Sequence, residues 1–413
     1  MVQLKIPAVF MRGGTSRAIF FREADLPPDQ AIRDRIMLAA MGSPDSYGRQ
    51  LDGMGGGISS LNKVAIIGPP SRPDADINYT FGQVSVTDAL VDYKGNCGNI
   101  SSAVGPYSID EELVTVPRDG VATIRIHNTN TRKIIVAGVP VQEGQAAVEG
   151  DFVLQGVSGT GARIALEFLD PGGAVTGKLL PTGAPRESLE IPGLGGLTAS
   201  IVDATNPMVF VRAADLGLQG TEHPEAFDRN TDLTARLEQI RATAAVRIGL
   251  AGTVEEASRK SQAVPKIALV APPVGYRDLS GSEVPATSTD ICARVMSMGK
   301  AHRAFALTAA MCLAVAARVP GTVVQEALGP QAAADPSADI RRGHSSGVLP
   351  IAALVRGGHA EIVLDDVGQL DALHVGDVEV VAGRVQLDGG RLIGLELDGV
   401  GHALDRLVAA GAL

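Results

Sequence analysis

Tryptophan is absent from this chain of 413 residues, and aromatic side chains make up only 3% of it, which leaves little for a site that recognises its ligand by stacking. Basic residues are outnumbered, with 36 Lys and Arg against 46 Asp and Glu for a formal charge of −10. That balance argues against a phosphate-backbone partner, so nucleic acid is not expected. Cysteine is scarce as well. Cys97, Cys292 and Cys312 are too few and too scattered for a disulfide framework. The chain starts directly in a strand-like pattern without a basic-then-apolar leader, and a cytoplasmic protein is the expectation. The longest uncharged apolar run, residues 304–317, holds about 14 residues against the ~20 a spanning helix needs. It is expected to be a buried helix, with no membrane partner.

Glycine (49) and proline (24) are abundant instead, together about 18% of the chain against a typical ~12%. Among otherwise ordinary apolar (45%) and charged (20%) contents, so many chain-breakers point to short strands joined by tight turns rather than to a helical bundle.

The chain also echoes itself. Ala18-Ile19-Phe20-Phe21-Arg22-Glu23-Ala24-Asp25-Leu26 recurs as Met208-Val209-Phe210-Val211-Arg212-Ala213-Ala214-Asp215-Leu216, at an offset of 190. Lys63-Val64-Ala65-Ile66-Ile67-Gly68-Pro69-Pro70 recurs as Lys266-Ile267-Ala268-Leu269-Val270-Ala271-Pro272-Pro273, at 203. A fainter third echo sets Cys97-Gly98-Asn99 against Met298-Gly299-Lys300, at 201. A period near 200 residues is too long for a solenoid and reads as two homologous domains facing each other. Strand-like runs at 3–10, 18–21, 64–67, 78–86, 121–128 and 133–139 precede or follow one buried helix in the first copy, from Gly98 to about Tyr107. In the second copy the helix is expected from about Lys300 to Ala317. The fold class is therefore α+β, with each copy a curved sheet or barrel around a central helix. Residues 180–197 read as the linker and residues 320–343 as a loop-like insertion. From Gly357 on the chain has no counterpart in the first half, and residues 403–410 read as a closing helix. The expected domains are 1–184 and 185–395, with a tail, 396–413, free to pack back on the first domain.

Helix starts are the natural anion sites, because free N–H groups and the dipole converge there. Cys97 stands at the first such start, between Asn96 and Gly98-Asn99, where the helix field favours a thiolate. Lys300 and His302 add cationic character at the expected second start, beside Met298 and Gly299. Lys63 opens an apolar strand after the loop Asp52-Gly53-Met54-Gly55-Gly56-Gly57-Ile58-Ser59-Ser60, whose glycines allow close backbone approach and whose Ser59 and Ser60 can donate to carboxylate oxygens. A lysine drawn into apolar surroundings loses its proton readily and can serve as a base, and a nearby Lys266 would push it further. Arg12-Gly13-Gly14-Thr15-Ser16-Arg17 reads as a carboxylate clamp, with Asn206-Pro207 before the matching strand of the second copy. Neither a P-loop nor a dinucleotide fingerprint is present, and the seven histidines form no metal-binding spacing. No metal is expected.

These motifs resemble, in one order over nearly the whole chain to about Gly347, the family of 2-methylaconitate isomerases, methylitaconate isomerases and 4-oxalomesaconate tautomerases, the PrpF-like proteins. They are Pro7-Ala8-Val9-Phe10-Met11-Arg12-Gly13-Gly14-Thr15-Ser16, the glycine loop ending at Lys63, Asn96-Cys97-Gly98-Asn99, Asp203-Ala204-Thr205-Asn206-Pro207, Pro265-Lys266-Ile267 and Met298-Gly299-Lys300-Ala301-His302-Arg303-Ala304. The resemblance implies two pseudo-symmetric diaminopimelate epimerase-like domains, no cofactor, and a site between them for a small unsaturated polycarboxylate. It implies further that Lys63 and Cys97 are the acid/base pair, and that the Gly14-Thr15-Ser16 turn and the two helix starts hold the carboxylates. The chain departs from the family at His344-Ser345-Ser346-Gly347, where relatives tend to have His-Pro-Ser-Gly. It departs from racemising enzymes of that fold where their second thiol would stand, read here as Met298, which cannot carry a proton. A 1,3-allylic proton shift in a small unsaturated di- or tricarboxylate such as aconitate, 2-methylaconitate or 4-oxalomesaconate is therefore expected. An epimerase of the same fold and a non-catalytic carboxylate binder are the alternatives, and a homodimer is left open.

Overall fold

The computed structural model describes residues 5–335, 338–351 and 353 and, as backbone, the strands 354–356, 359–361, 372–381, 385–387, 391–393 and 397–398. Its two large sheets repeat one another strand by strand. In the first, Lys5–Gly13, Ser16–Arg22, Lys63–Gly68, Ile77–Val84, Gly120–Asn128 and Lys133–Gln142 lie side by side, paired in turn antiparallel, parallel, antiparallel, parallel and antiparallel. In the second, Gly195–Ala204, Asn206–Arg212, Lys266–Ala271, Ile291–Ser297, Ile340–His344 and Gly347–Ile351 follow the same sequence of directions. The echoes found in the sequence fall in matching register: Ala18 stands opposite Lys63, and Met208 opposite Lys266.

Each sheet encloses a helix that follows its fourth strand, Gly98–Asp110 in the first copy and Leu307–Arg318 in the second. Apart from Asp110 and Arg318, both helices are buried on every side, as their small and apolar residues require. Gly98 lets them approach, because a Cβ there would meet the Leu307 side chain at 3.1 Å. One apolar core runs through both halves, joining Phe20, Ala65 and Ile126 of the first sheet and Phe210, Ala268 and Val295 of the second to both helices. Strand alternation sends Ile19, Phe21 and Ile66 to the outer face under helix Gln30–Met41, and Val209, Val211 and Leu269 to the outer face under helix Thr231–Arg247.

Several expectations need correction. The second helix does not begin at Lys300. Met298 and Gly299 both take positive φ, 53° and 73°, and form the tight turn of a hairpin in which Ser297 pairs with Lys300. The helix residue equivalent to Cys97 is therefore Ala306, the N-cap of Leu307–Arg318, and not Met298. The third echo thus aligned a turn with a helix. The presumed linker holds the strand Glu187–Ile191 and the start of Gly195–Ala204, paired as a hairpin on the second sheet. The presumed insertion contains the helices Val323–Glu326 and Pro330–Ala334 and the strand Ile340–His344, which is integral to that sheet. Strand Ala372–Val381 lies antiparallel on Lys5–Gly13, so it extends the first sheet and not the second. The expected closing helix lies outside the described residues.

Candidate active site

Lys63 and Lys266 each open the central strand of their sheet, and alternation aims both toward the enclosed helices, on the side of Ala65 and Ala268. Both are buried. The Lys63 Nζ donates to Gln83 Oε1 at 2.5 Å and lies 5.2 Å from the Phe81 ring centroid. Gln83 stands directly across the ladder from Lys63, and its amide nitrogen is anchored on the carbonyls of Ser59 and Asn62. The Lys266 Nζ donates to the Ala263 carbonyl at 2.6 Å. Burial lowers the Lys63 pKa, and the Cys97 sulfur partly offsets this. Lys266 is pulled down to about 8, first by burial and then by the Lys63 charge. The two amines and the Cys97 sulfur thus act on one another across the seam between the sheets.

Cys97 caps the first helix and is nearly buried. Its turn is fixed by Asn96, whose Oδ1 accepts the Cys97 N–H at 2.7 Å, and by Ser101, whose N–H and hydroxyl both donate to the Cys97 carbonyl. Asn206 reaches over from the second sheet. Its Oδ1 accepts the Asn96 N–H at 2.9 Å, and its amide donates to the Asn96 carbonyl at 2.7 Å and to Thr308 Oγ1 at 3.0 Å. His302 lies against the same group of charges. Burial, Lys63 and Lys266 hold its pKa down to about 3, so the ring is neutral. Its Nδ1 accepts the Ala304 N–H at 3.2 Å, which leaves the proton on Nε2. A buried amine beside a thiol at a helix start, with a second amine and a neutral imidazole alongside, can move a proton and stabilise an anion. Among the described residues no three His, Cys, Asp or Glu side chains cluster so as to hold a metal ion.

Comparison with known proteins gives the family. The profile of the family described as PrpF protein matches residues 3–370. The chain belongs to the PrpF family. It is 46% identical to a 3-methylitaconate isomerase of Eubacterium barkeri, over 87% of this chain and 93% of that protein. It is 41% identical to a 2-methyl-aconitate isomerase of Shewanella oneidensis, over 85% and 90%. The crystal structure of a methylitaconate-delta-isomerase superposes with a TM-score of 0.71 at 44% identity, covering 91% of this chain and 95% of that one. The fold is the diaminopimelate epimerase-like one that the resemblance implied.

The residues expected to form the PrpF site divide into groups. Lys63, Cys97, Lys266 and His302 come together at the seam. Thr15, Ser16 and Asn99 meet beside it, the Asn99 amide donating to Thr15 Oγ1 at 3.0 Å and Ser16 Oγ at 3.3 Å. Thr15, Ser60 and His302 line a cleft of about 450 Å³. Ser59, Met298, Gly299 and Lys300 line a different, outer cleft of about 670 Å³. Lys300 is exposed there, because the hairpin carries it away from the helix start. Arg17 is on the wrong face. Alternation pairs it with the outer-face Phe10, whose ring centroid lies 5.1 Å from the guanidinium carbon, so it cannot join Ser16 in a clamp. The Asn206 side chain is committed to the Asn96 backbone and to Thr308, and the Asn96 Oδ1 to the Cys97 N–H and the Asn128 amide. The glycine loop serves packing, since added Cβ atoms at Gly55 and Gly57 would strike Gln50 and the Gly48 carbonyl within 2.4 Å.

Sequence reasoning missed Gln83 and Arg342. Gln83 could have been found by laying the strand pattern 78–86 antiparallel to Lys63. Arg342 was hidden in Arg341-Arg342-Gly343-His344, which reads as an exposed loop. The repeat itself held the signal, because a strand was owed after the second helix.

Proposed function

We propose that this PrpF-family isomerase moves a proton between two carbons of an allylic system in a small unsaturated di- or tricarboxylate, such as 2-methylaconitate, methylitaconate or 4-oxalomesaconate. The reading is carried by one observation, the buried Lys63 with lowered basicity, aimed at the enclosed helices and within electrostatic reach of Cys97 at a helix start. Neutral Lys63 takes the proton from one allylic carbon, and the electron pair of that C–H bond passes through the double bond into a carboxylate-stabilised dienolate. Cys97 returns its thiol proton to the far carbon, which leaves an ammonium and a thiolate. Proton transfer from Lys63 to Cys97 restores both groups. The developing negative charge is met by Lys266 and the Nε2–H of His302, in a site mostly closed to water. A well-placed base and acid each contribute roughly 10²–10⁴-fold.

The alternative of an epimerase is weakened by Ala306, since the second helix start offers no thiol for the opposite face of a stereocentre. Proton NMR in heavy water tests the proposal. At least one of 2-methylaconitate, 3-methylitaconate and 4-oxalomesaconate should incorporate deuterium at an allylic carbon and reach an isomer equilibrium. Binding of all three without exchange into any would leave a carboxylate-binding protein. Loss of optical activity from an amino acid would favour the epimerase.

A further inference from the structure

The repeat shows where the two halves part. In the first sheet Ile77 is paired with Ile126, a fully buried core residue. At the equivalent place in the second sheet Ile291 is paired with Arg342. Arg342 thus occupies a core position where its counterpart is isoleucine, and it too is fully buried. Its guanidinium carbon lies 4.1 Å from the Phe305 ring centroid, while Nε, Nη1 and Nη2 have no hydrogen-bond partner. Two residues on, His344 replaces Asn128. The Asn128 amide is bonded on both sides, donating to the Tyr79 carbonyl and accepting from Thr131. His344 accepts the Ser346 N–H at Nδ1, so the proton is on Nε2, and that buried donor also lacks a partner.

Both side chains line a space of about 20 Å³, room for one water-sized group, bounded also by Thr15, Asn99, Phe305 and Leu307. It lies at the N-terminus of the second central helix, which no side chain caps. It shares Thr15, Leu154, Gln155 and Ala304 with the 450 Å³ cleft that His302 lines. His302 feels the charges of Lys63, Lys266 and Arg342, and so stands between the two groups of cations. At the first helix start the Asn96 N–H and carbonyl are already bonded to Asn206, and the Asn96 Oδ1 accepts the Cys97 N–H.

We propose that Arg342 and the Nε2–H of His344 form a carboxylate subsite, separate from the Lys63–Cys97 centre, that takes the substrate carboxylate remote from the reacting carbons. A carboxylate oxygen entering this space meets a buried guanidinium fork, an imidazole N–H and an uncapped helix start, which together supply the donors it needs. Because so little room is free, the Leu154–Gln155 segment must give way as the carboxylate enters. The subsite selects substrates with an additional carboxylate, and it rests on the isomerase reading for which carboxylate is remote.

Calorimetric binding of tricarballylate and succinate tests this without turnover, since neither has a double bond to shift. The wild type should bind the tricarboxylate at least tenfold more tightly than the dicarboxylate. Arg342→Ile, which installs the first half's own residue, should weaken tricarballylate at least tenfold, leave succinate within threefold, and melt no lower than the wild type without ligand. Equal wild-type affinities would overturn the subsite, as would a variant that keeps the preference. A large loss of thermal stability in Arg342→Ile would assign the arginine to packing instead. His344→Asn, the other first-half residue, should move the preference in the same direction. Deuterium exchange, read separately, reports on the Lys63–Cys97 centre alone.

Discussion

In the first half Lys63 stands opposite Gln83, which is long enough to hold its amine. In the second half the same register continues from Ile267 opposite Met296 to bring Lys266 beside Ser297. Serine is too short to hold that amine, which turns back to its own loop at the Ala263 carbonyl. The N-cap position holds Cys97 in the first helix and Ala306 in the second. The core position filled by Ile126 in one sheet holds Arg342 in the other. A duplicated scaffold thus delivers two strand-start lysines and two helix starts to one seam, and divergence at a few positions divides the work. The proton-transfer groups cluster on the first copy, and cations without carboxylate partners collect on the second.

That division can be broken most severely at the first lysine. Lys63→Met should lower kcat by roughly 10²–10⁴-fold, whereas Lys266→Met should cost roughly tenfold through weaker stabilisation of the dienolate. Steady-state rates for the pair measure the asymmetry, and equal losses would erase it. The thiol comes next. Cys97→Ala should cost roughly 10²–10³-fold, and adding Ala306→Cys should not restore the rate, because the second cap faces no held amine. Recovery in the double variant would mean that the two helix starts are interchangeable.

The clamp between the halves should appear in stability. Asn206→Ala strands the Asn96 N–H and carbonyl and should cost about 2–4 kcal/mol in urea unfolding, against about 1 kcal/mol for Ser16→Ala, its equivalent in the first copy. The last effect is a pH slope. The folded-state pKa of Lys266 is about 8, below its unfolded value of ~10.4. Between these limits the unfolded chain binds the extra proton, so this residue makes stability rise with pH across that window, and its destabilisation is complete below the lower limit. Lys266→Met should remove that part of the rise and should be the more stable protein at pH 7, by up to about 3 kcal/mol. Urea titrations at pH 7 and pH 10 compare the two.

Much of the first half was legible because its elements announce themselves. Apolar alternation marks the strands around Val64 and Ile124, and Asn96-Cys97-Gly98 breaks the chain before a run of small residues that can only be buried. Other features were legible but misread. Ser16, Ala18 and Phe20 share one face of a strand, so Arg17 had to point away from them. Met298-Gly299 was a hairpin turn in sequence, yet the alanines after it looked helical and drew the helix start several residues too early. Arg342 could not be read locally, because a pair of arginines beside a glycine carries the signature of solvent. Only its pairing with Ile291 turns it inward.

Composition, the two long echoes and the placement of lysine at the head of each repeated strand were determined by the sequence itself. They follow from local pattern: a lysine followed by an apolar strand keeps its position wherever that strand is laid. The tertiary structure decided which side chains meet. Alternation removed Arg17, the hairpin removed Lys300, and the pairing of strands far apart in the chain brought Lys63, Cys97, Lys266, His302 and Arg342 to one seam. Those contacts depend on register across the ladders and on two helices packed at a glycine, and neither is written in any single stretch of the chain.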